Sequence, residues 1–383
     1  MRIISISLDQ NIFNPHSAVF QRMQQYAVLF DEFHIICFTL EKYKAVAFQK
    51  NNLFLYPTNS KSRLRFFLDA YAIGEKIIQQ RNLERTSSII TTQDPFETAI
   101  VGYLLKRKFG LSLNIQDHGN FFESRFFRKE SASNLLRYYI GKILLKKSDS
   151  IRTVSLREKK YIENHFSYPQ DRIANIPIFT NWQKNADSKT KLDIKQKYPG
   201  FDFYILTLCR LEKVKNVPLL IVAFVKIHTK FPRVLLLIVG NGSQKKHLQK
   251  MIDKNNLQQN IIMEDWTEDA ISFYKTADLF VLSSFSEGWG LTVIEAASSS
   301  CPIIMTDTGC AGEFIRNNIN GWVTKINDIQ DLTRAITDAM EDKKKRESFS
   351  EQAFRDLPTL PDEEATRQQL KQIWIKALPP THL

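Results

Sequence analysis

The chain has 383 residues, and since domains usually contain ~100–200 residues this length predicts two of them. Hydrophobic residues make up 43% and charged residues 25%, which excludes a wholly disordered, collagen-like or coiled-coil protein. The net charge of +12 is concentrated in residues 1–180, where 26 Lys and Arg face 16 Asp and Glu, against 27 and 25 in residues 181–383. A basic half is typical of proteins that bind nucleic acid, anionic lipid or a phosphorylated substrate.

The sequence contains no pattern typical of a membrane span, a secretory signal or a disulfide framework. Its longest apolar runs, such as Val234–Val239, have the length of a strand, whereas a spanning helix needs ~20 residues. A charge at Asp9 comes too early for a secretory segment, so we expect a cytoplasmic protein. We expect buried free thiols at the four cysteines, whose spacing suits neither a disulfide nor a zinc site: Cys37, Cys209, Cys301 and Cys310.

In the first half, short β-branched runs alternate with amphipathic segments of helical length. Strands are predicted near Ile3–Ser7, His34–Phe38, Ser88–Thr92, Ser112–Gln116 and Ile151–Val154. Helices are predicted near Ala18–Phe30, Leu64–Gln80, Phe96–Lys108, Asn134–Lys147 and Leu156–His165. This alternation predicts βαβ units and a parallel sheet covered on both faces.

The second half repeats the alternation after a predicted boundary at Ile176–Asn181. Strands are predicted near Tyr204–Cys209, Val234–Val239, Ile261–Met263, Leu279–Leu282 and Ile303–Thr306. A last helix is predicted at Asp362–Lys376. The sequence therefore predicts an α/β protein with two doubly wound domains and a cleft between them.

The segment Ser283–Ala297 is the most informative part of the sequence. A predicted strand leads into a loop that contains Gly288 and Gly290, and a helix is predicted to begin near Thr292. Open α/β sheets bind ligands at the carboxyl ends of their strands, and glycine lets the backbone approach a ligand closely. The N–H groups of Leu291 and Thr292 would point outward from the helix start, which predicts an anion site.

Glu287 and Glu295 flank this predicted anion site. Two carboxylates suit the hydroxyl groups of an attached sugar or ribose, from which they accept hydrogen bonds, better than they suit the anion itself. Glu295 has an alternative role, because Thr292-Val-Ile-Glu295 also matches a capping box. For Glu287 the alternative is an ordinary exposed loop residue.

Arg210 and Lys215 follow the first predicted strand of the second half, on the same edge of the sheet as Glu287. A planar guanidinium and a flexible ammonium suit the oxygens of a diphosphate, which they could neutralise without a metal. Taken alone, two cations near a strand end would be interpreted as solvated.

Two further segments are weaker signals. Gly240-Asn241-Gly242 resembles the opening of a dinucleotide fingerprint, but Lys245 stands in place of the third glycine, so we interpret it as a tight turn near a ligand. His118 follows a predicted strand and could face the cleft, although a single histidine is more often structural. The sequence lacks the patterns of serine hydrolases, zincins and P-loop proteins.

Together these segments resemble glycosyltransferase family 4, the retaining nucleotide-sugar enzymes of the GT-B fold. The resemblance is clearest over Tyr204–Thr324 and is most specific in the Glu-x₇-Glu element from Glu287 to Glu295. Arg210–Asn216 and the Val239–Gly242 turn occur in the same order as in the family. The order of the motifs carries the resemblance, because any one of them alone is weak.

The resemblance implies a GT-B fold, in which two Rossmann-like domains face a cleft. Residues 1–180 would bind the acceptor, residues 181–361 would bind the donor, and a helix near residues 362–379 would return to the first domain. The implied enzyme is a retaining hexosyltransferase of polysaccharide biosynthesis, which moves a sugar from a UDP- or GDP-linked donor to a glycan or lipid-linked acceptor. No cofactor, metal ion or nucleic acid is expected.

The resemblance also implies a role for each matching residue. Glu287 and His118 would contact the donor sugar, Glu295 would contact the ribose, and Arg210 and Lys215 would hold the diphosphate and stabilise the leaving group. The implied catalytic residues are His118, Arg210, Lys215 and Glu287. The implied donor-binding residues are Arg210, Lys215, Gly242, Glu287, Gly288, Trp289, Gly290, Leu291, Thr292 and Glu295.

Two positions depart from the family pattern, and two other functions stay open. The loop Asp9–Ser17 lacks the usual glycine pair, and Cys209 stands where glycine commonly precedes the arginine. One alternative is a GT-B-fold sugar epimerase or glycogen-type synthase. The other is a non-catalytic basic protein that binds membranes or nucleic acid, against which the four intact charged positions argue.

The basic first half also predicts a surface for lipid. Residues Phe121–Lys147 hold seven Lys and Arg with the pairs Phe121-Phe122 and Phe126-Phe127, while the apolar helical positions from Leu135 to Leu144 are predicted as core. A surface of arginine and phenylalanine suits an anionic bilayer, and Lys61–Phe67 is a second candidate. We hypothesise peripheral attachment to the inner face of the cell membrane; the alternative is a basic face that meets a phosphorylated acceptor.

Overall fold

The computed structural model describes residues 1–380 and divides into two compact units. The first unit comprises Met1–Pro177 together with the C-terminal segment from Glu364, and the second comprises Ile178–Glu363. Each unit contains its own sheet with helices on both faces. The α/β class predicted from the sequence is therefore confirmed.

The first unit contains an eight-stranded sheet. Its strands are β1 (Arg2–Ser7), β2 (Glu32–Cys37), β3 (Phe48–Lys50), β4 (Leu53–Pro57), β5 (Ser88–Thr92), β6 (Ser112–Asp117), β7 (Ser150–Thr153) and β8 (Ile173–Asn175). Its helices are α1 (Ala18–Ala27), α2 (Phe66–Gln80), α3 (Glu97–Phe109), α4 (Arg125–Glu130), α5 (Ala132–Lys147) and α6 (Leu156–Phe166). The strand order is β3-β4-β2-β1-β5-β6-β7-β8, and only the β3–β4 pair is antiparallel.

The second unit contains a six-stranded sheet in which every pair is parallel. Its strands are β9 (Phe203–Leu208), β10 (Val234–Val239), β11 (Ile261–Glu264), β12 (Leu279–Leu282), β13 (Ile303–Thr306) and β14 (Trp322–Thr324), in the order β11-β10-β9-β12-β13-β14. Its helices are α7 (Trp182–Asp187), α8 (Ile194–Lys197), α9 (Val217–Lys230), α10 (Lys245–Lys254), α11 (Ala270–Thr276), α12 (Leu291–Ser298), α13 (Ile329–Glu341) and α14 (Lys343–Asp356). The last helix, α15 (Glu363–Ala377), belongs to the first unit.

The strands that the sequence predicted well are those with both faces covered. β5, β10, β12 and β13 begin and end at the predicted residues, and each is buried along its whole length. Burial on both faces produces the continuous apolar runs that the sequence displays. The strands missed by prediction are β3, β4, β8 and β14, of which β3 is exposed at every residue. β3, β8 and β14 are three-residue edge strands, which carry little apolar signal. β4 lies inside the sheet, and its apolar run Leu53–Pro57 was a usable signal that the prediction missed.

An aromatic cluster in the first unit corrects part of the sequence interpretation. Phe122 is fully buried, and Phe121 and Phe127 pack with it around Phe96, with ring centroids 5.0–6.1 Å from that residue. These rings belong to the hydrophobic core beside α3 and α5. The expectation that both phenylalanine pairs form an exposed surface is therefore wrong.

Helix α5 is rotated relative to the expected orientation. A Cβ at Gly141 would lie 2.8 Å from the Phe96 ring and 2.9 Å from the Phe122 ring, so α5 approaches this cluster at Gly141. That approach turns Tyr138 and Leu144 inward. Most of the α5 positions predicted as core are instead exposed. The helix has two apolar faces, and the sequence pattern does not reveal which of them packs against the aromatic cluster. The exposed side chains are Leu135, Leu136, Tyr139 and Ile143.

The four cysteines, all within the described residues, are buried free thiols, as expected. Burial raises the pKa of Cys37 to about 12 and that of Cys209 to about 11. No helix in residues 1–380 is both long enough and apolar enough to cross a bilayer.

Helix α15 completes the first unit through Trp374. Its indole ring lies 5.3 Å from the ring of Phe30 and 6.4 Å from that of Phe33, and its side chain is almost fully buried. The indole Nε1–H donates to Asn114 Oδ1 on β6 at 3.0 Å. A buried indole N–H needs an acceptor, so this bond fixes both the depth and the register of α15 on the sheet.

We expect Trp374→Phe to lower the free energy of unfolding by about 1–2 kcal/mol, because it removes the hydrogen bond to Asn114 and leaves a small cavity. Ile375→Ala is the matched control on the same helix, since Ile375 is 49% exposed. Urea denaturation measures both variants. Equal midpoints for the two would contradict an anchoring role for Trp374.

Candidate functional site

The predicted site in the second unit lies where the sheet changes direction. β9 and β12 are neighbours at the centre of the sheet, yet the chain proceeds from β9 to β10 on one side and from β12 to β13 on the other. The loops that follow β9 and β12 therefore meet at the carboxyl edge of the sheet. Ligands of open α/β sheets bind at such a switch point.

A buried ion pair joins these two loops. The Lys215 Nζ donates to Glu287 Oε1 at 2.6 Å, and the two side chains are only 14% and 9% exposed. The Ser284 hydroxyl donates to the same oxygen at 2.5 Å. Glu287 is thus held at a fixed point of the edge, and it is not the ordinary exposed loop residue of the alternative interpretation.

Backbone groups hold the same two loops together. The N–H of Phe285 donates to the carbonyl of Val214 at 2.7 Å. The Ser283 hydroxyl lies within hydrogen-bonding distance of the carbonyls of Lys215 and Asn216, at 3.2 and 3.0 Å. The loops after β9 and β12 therefore cannot separate without losing these hydrogen bonds, which keep Lys215 and Glu287 close together.

Helix α12 begins beside the ion pair without a side-chain cap. Gly290 is its N-cap residue and has φ of 98°, a left-handed conformation that favours glycine. Leu291, the first helical residue, is exposed, and Gly288 and Thr292 are partly exposed. The first N–H groups of a helix lack intrahelical partners, so this helix start can accept an anion.

Glu295 is not part of a capping box. A capping box would require Thr292 as the N-cap residue, but α12 begins two residues earlier, after Gly290. The Glu295 carboxyl instead accepts a hydrogen bond from the hydroxyl of Tyr274 at 3.3 Å, and burial raises the pKa of Glu295. Because Glu295 does not cap the helix, its other lone pairs can accept hydrogen bonds from a ligand, and the ligand-binding interpretation is the one that remains.

The loop after β9 packs closely on the Gly240–Gly242 turn after β10. A Cβ at Gly242 would lie 2.4 Å from the Leu211 carbonyl oxygen, and one at Gly240 would lie 2.0 Å from that of Cys209. Both glycines are thus required by the backbone contact between the loops. Arg210 is exposed beside this contact.

A third loop, after β13, packs against the Glu287 loop. Gly309 has φ of 53°, and a Cβ there would lie 2.5 Å from the Trp289 carbonyl oxygen and 2.9 Å from the Glu287 Cβ. The Cys310 N–H donates to the same Trp289 carbonyl at 2.9 Å. The Trp289 side chain is 2% exposed, so any contact of this residue with a ligand would come from its backbone.

We expect Gly309→Ala to destabilise the protein more than Gly312→Ala does. Both glycines have positive φ, but a Cβ at Gly312 would meet nothing within 4 Å. Gly312→Ala should therefore cost only the conformational penalty of about 1–2 kcal/mol, whereas Gly309→Ala adds a clash with the Glu287 loop. Thermal denaturation measures the melting temperatures of the two variants. Equal decreases would show that the Glu287 loop can move to accommodate a Cβ at position 309.

His118 lies in the first unit, directly after β6. Its Nε2 lies 3.2 Å from the Gln93 Oε1, on the loop after the neighbouring strand β5. Burial, reinforced by the positive charges of Arg152 and Arg22, lowers the pKa of His118 well below its usual 6.5. His118 is therefore neutral at neutral pH and can donate one hydrogen bond and accept another.

The His118 loop is held by a buried pair of carboxyl groups that the sequence did not reveal. Asp117 Oδ1 accepts the N–H of Gly119 at 2.9 Å, and Glu158 on α6 accepts the N–H groups of Phe122 and Glu123 at 2.6 and 2.9 Å. Burial raises the pKa of both carboxyls, and the charge of Asp117 raises that of Glu158 well above 4.5. Asp117 Oδ2 is buried without a donor among the described residues, and a proton retained on Glu158 supplies one.

We expect this pair to make stability fall as the pH rises. The native pair keeps a proton at pH values above 4.5, where the unfolded carboxyls have lost theirs, so unfolding releases a proton. The free energy of unfolding should then decrease by up to ~1.4 kcal/mol per pH unit until the pH passes the raised pKa of Glu158.

Glu158→Gln is the test of this pH dependence, since an amide can donate permanently to Asp117. We expect the variant to lose the slope. Its amide nitrogen replaces one of the two oxygens that accept backbone N–H groups, so the free energy of unfolding should also be lower at each pH. Urea denaturation across the pH range measures it, with Glu163→Gln on the same helix as control. The same slope in Glu158→Gln would exclude the shared proton.

The structure brings most of the predicted second-unit residues to one edge. Lys215, Glu287, Gly288, Gly290 and the start of α12 lie together, whereas Gly242 and Trp289 take part through backbone packing. Ser284 and Tyr274, which donate hydrogen bonds to the two carboxylates, were not predicted. A serine three residues before Glu287 was a usable signal, whereas nothing in the sequence connects Tyr274 with Glu295. Within residues 1–380, no three His, Cys, Asp or Glu side chains are grouped so that they could hold a metal ion.

Residues 188–356, which include this edge, match the family described as glycosyl transferases group 1. Over 265 residues the chain is 29% identical to an uncharacterized glycosyltransferase of Methanocaldococcus jannaschii, covering 67% of this chain and 64% of that protein. Over 255 residues it is 25% identical to the Escherichia coli UDP-Gal:alpha-D-GlcNAc-diphosphoundecaprenol alpha-1,3-galactosyltransferase, covering 64% and 65% of the two chains. The aligned segments thus span just under two thirds of these relatives' own lengths.

The whole fold is similar to that of Anabaena HepE, solved in complex with UDP-glucose. The TM-score is 0.74 at 17% identity, and the alignment covers 97% of this chain and 98% of HepE. This similarity confirms the predicted GT-B fold with two Rossmann-like domains. The resemblance to glycosyltransferases is confirmed at the level of group 1, through residues 188–356, and the assignment to family 4 stays a prediction.

Proposed function

We propose that this chain, whose residues 188–356 match the group 1 glycosyl transferases, is a metal-independent retaining hexosyltransferase. It transfers a sugar from a nucleoside-diphosphate sugar to a glycan or lipid-linked acceptor in polysaccharide biosynthesis. The observation that carries the proposal is the buried Lys215–Glu287 pair between two loops at the switch point of the sheet. The complex of HepE with UDP-glucose and the name of the Escherichia coli relative support a UDP-linked donor.

The donor diphosphate would be bound by Lys215, Arg210 and the start of α12. An ammonium group has three hydrogens, and Glu287 takes one of those of Lys215, which leaves two for phosphate oxygens. Exposed Arg210 adds a planar fork that suits a second phosphate. These charges stand in place before the reaction, so they stabilise the developing negative charge of the leaving diphosphate without a metal ion.

The two glutamates would bind the neutral parts of the donor. Glu287, fixed by Ser284 and Lys215, accepts hydrogen bonds from sugar hydroxyls. Glu295, oriented by Tyr274, accepts from the ribose. In the first unit, neutral His118 donates its one N–H to the Gln93 oxygen, so its other ring nitrogen provides an acceptor for a hydroxyl of the sugar being transferred. The rest of that unit holds the acceptor.

Transfer proceeds on one face of the sugar. The bond between the anomeric carbon and the phosphate oxygen breaks, and a bond forms from that carbon to the acceptor oxygen. The departing phosphate oxygen takes the proton of the acceptor hydroxyl, so the configuration at the anomeric carbon is retained. No protein group needs to act as a base in this step.

We expect Arg210→Ala to weaken the binding of a nucleoside diphosphate by ~10- to 100-fold, the loss of one charge-assisted hydrogen bond. The melting temperature should not change, because Arg210 is exposed. Arg233→Ala is the matched control, since Arg233 is an exposed arginine just before β10, at the opposite edge of the same sheet. Calorimetric titration with UDP and GDP measures the affinity.

A transfer assay with labelled UDP-glucose distinguishes the proposal from its alternatives. We expect the label on an acceptor glycan with its anomeric configuration retained, and we expect activity to survive EDTA. Label released as a free or epimerised sugar would favour the epimerase.

Unchanged UDP and GDP affinity in Arg210→Ala would overturn the assignment of the diphosphate site.

A further inference from the structure

Helix α5 has an apolar face that the first unit does not cover. Leu136 and Ile143 are each 61% exposed and Tyr139 is 57% exposed. Their spacing of three and four residues places them in one stripe along the helix, and Leu135 widens it. The opposite face, with Leu144, is buried in the core, so α5 is apolar on two sides. A helix of a Rossmann-like layer needs only one apolar face.

Cations border this stripe. At ~100° per residue, exposed Lys146 lies along one side of it and exposed Lys147 lies along the other. Lys142 is half-buried, with its ammonium 5.3 Å from the centroid of the Phe166 ring. α5 contains no Asp or Glu. The nearest acidic residues in sequence are already engaged, because Glu130 accepts from Asn134 and Asp149 pairs with Lys106.

We propose that this face of α5 docks on the surface of an anionic lipid bilayer. An apolar stripe edged by lysines and lacking acidic residues complements acyl chains and negatively charged headgroups at once. Tyr139, with an apolar ring and a polar hydroxyl, suits the boundary between them. The contact is peripheral, since α5 has 16 residues, too few to span a bilayer, and its inner face is buried in the core.

The lipid surface is on α5 and not on the other exposed leucines of the same helix layer. Leu64 and Leu68, at the start of α2, are 85% and 66% exposed. Beside them, however, Asp69 pairs with Arg65, whereas α5 contains no acidic residue. The start of α2 therefore provides a control with similar apolar exposure and with an acidic residue among its cations.

Flotation with phosphatidylcholine vesicles, with and without phosphatidylglycerol, tests the proposal on the full chain. We expect recovery only with phosphatidylglycerol, and loss of binding at 1 M salt, where the screening length falls to ~3 Å. The double variant Lys146→Gln with Lys147→Gln should bind ~25-fold more weakly, at about 5-fold per lysine.

The variant Leu136→Ser with Ile143→Ser should lose roughly 10-fold or more in vesicle affinity. Leu64→Ser with Leu68→Ser is the matched control and should retain binding. All these side chains are exposed, so thermal melting should report intact folds. UDP affinity should be unchanged throughout, which separates failure of this proposal from failure of the proposed function.

Three outcomes would overturn the proposal. The first is equal recovery with neutral and anionic vesicles, or recovery with neither. The second is an equal loss of binding in the α2 control. The third is a dimer in sedimentation analysis that Leu136→Ser with Ile143→Ser dissociates, which would assign the face to a second copy of the chain.

Discussion

The buried ion pair of Lys215 and Glu287 is the interaction on which the candidate site depends. Two charged groups removed from water are costly, and a buried pair often stabilises a fold no better than apolar residues would. This pair lies where two loops meet at the carboxyl edge of the sheet. The pair holds a cation and an acceptor oxygen at fixed positions of this edge, which is the feature that the proposed donor site requires.

Close backbone packing makes these fixed positions possible. The loops after β9, β10, β12 and β13 lie so near one another that Gly242 and Gly309 leave no space for a Cβ. Loop packing therefore requires glycine at positions 242 and 309, independently of any contact with a ligand. They allow the loops to converge, and the convergence places Glu287 beside Lys215. In the first unit, Asp117 and Glu158 achieve a similar result through hydrogen bonds to the loop that follows His118.

Much of the fold and part of the site could be predicted from the sequence. Central strands are buried on both faces and so appear as uninterrupted apolar runs, and the order of motifs from Arg210 to Glu295 indicated the fold and the family. Lys215 and Glu287 were assigned to the same edge because both follow strands of one parallel sheet. Their direct pairing, and the hydrogen bond from Ser284, depend on side-chain distances that spacing along the chain does not encode.

The sequence by itself determined the two-domain α/β architecture and the residue types of the candidate site, because periodicity and motif order are local properties. Only the tertiary structure decided the roles that depend on orientation. It excluded Glu295 as a cap, since α12 begins after Gly290. It buried Phe122 and turned the Leu136 face of α5 outward, because the contact at Gly141 fixes the rotation of that helix. A helix with two apolar faces has no preferred rotation until its neighbours are in place.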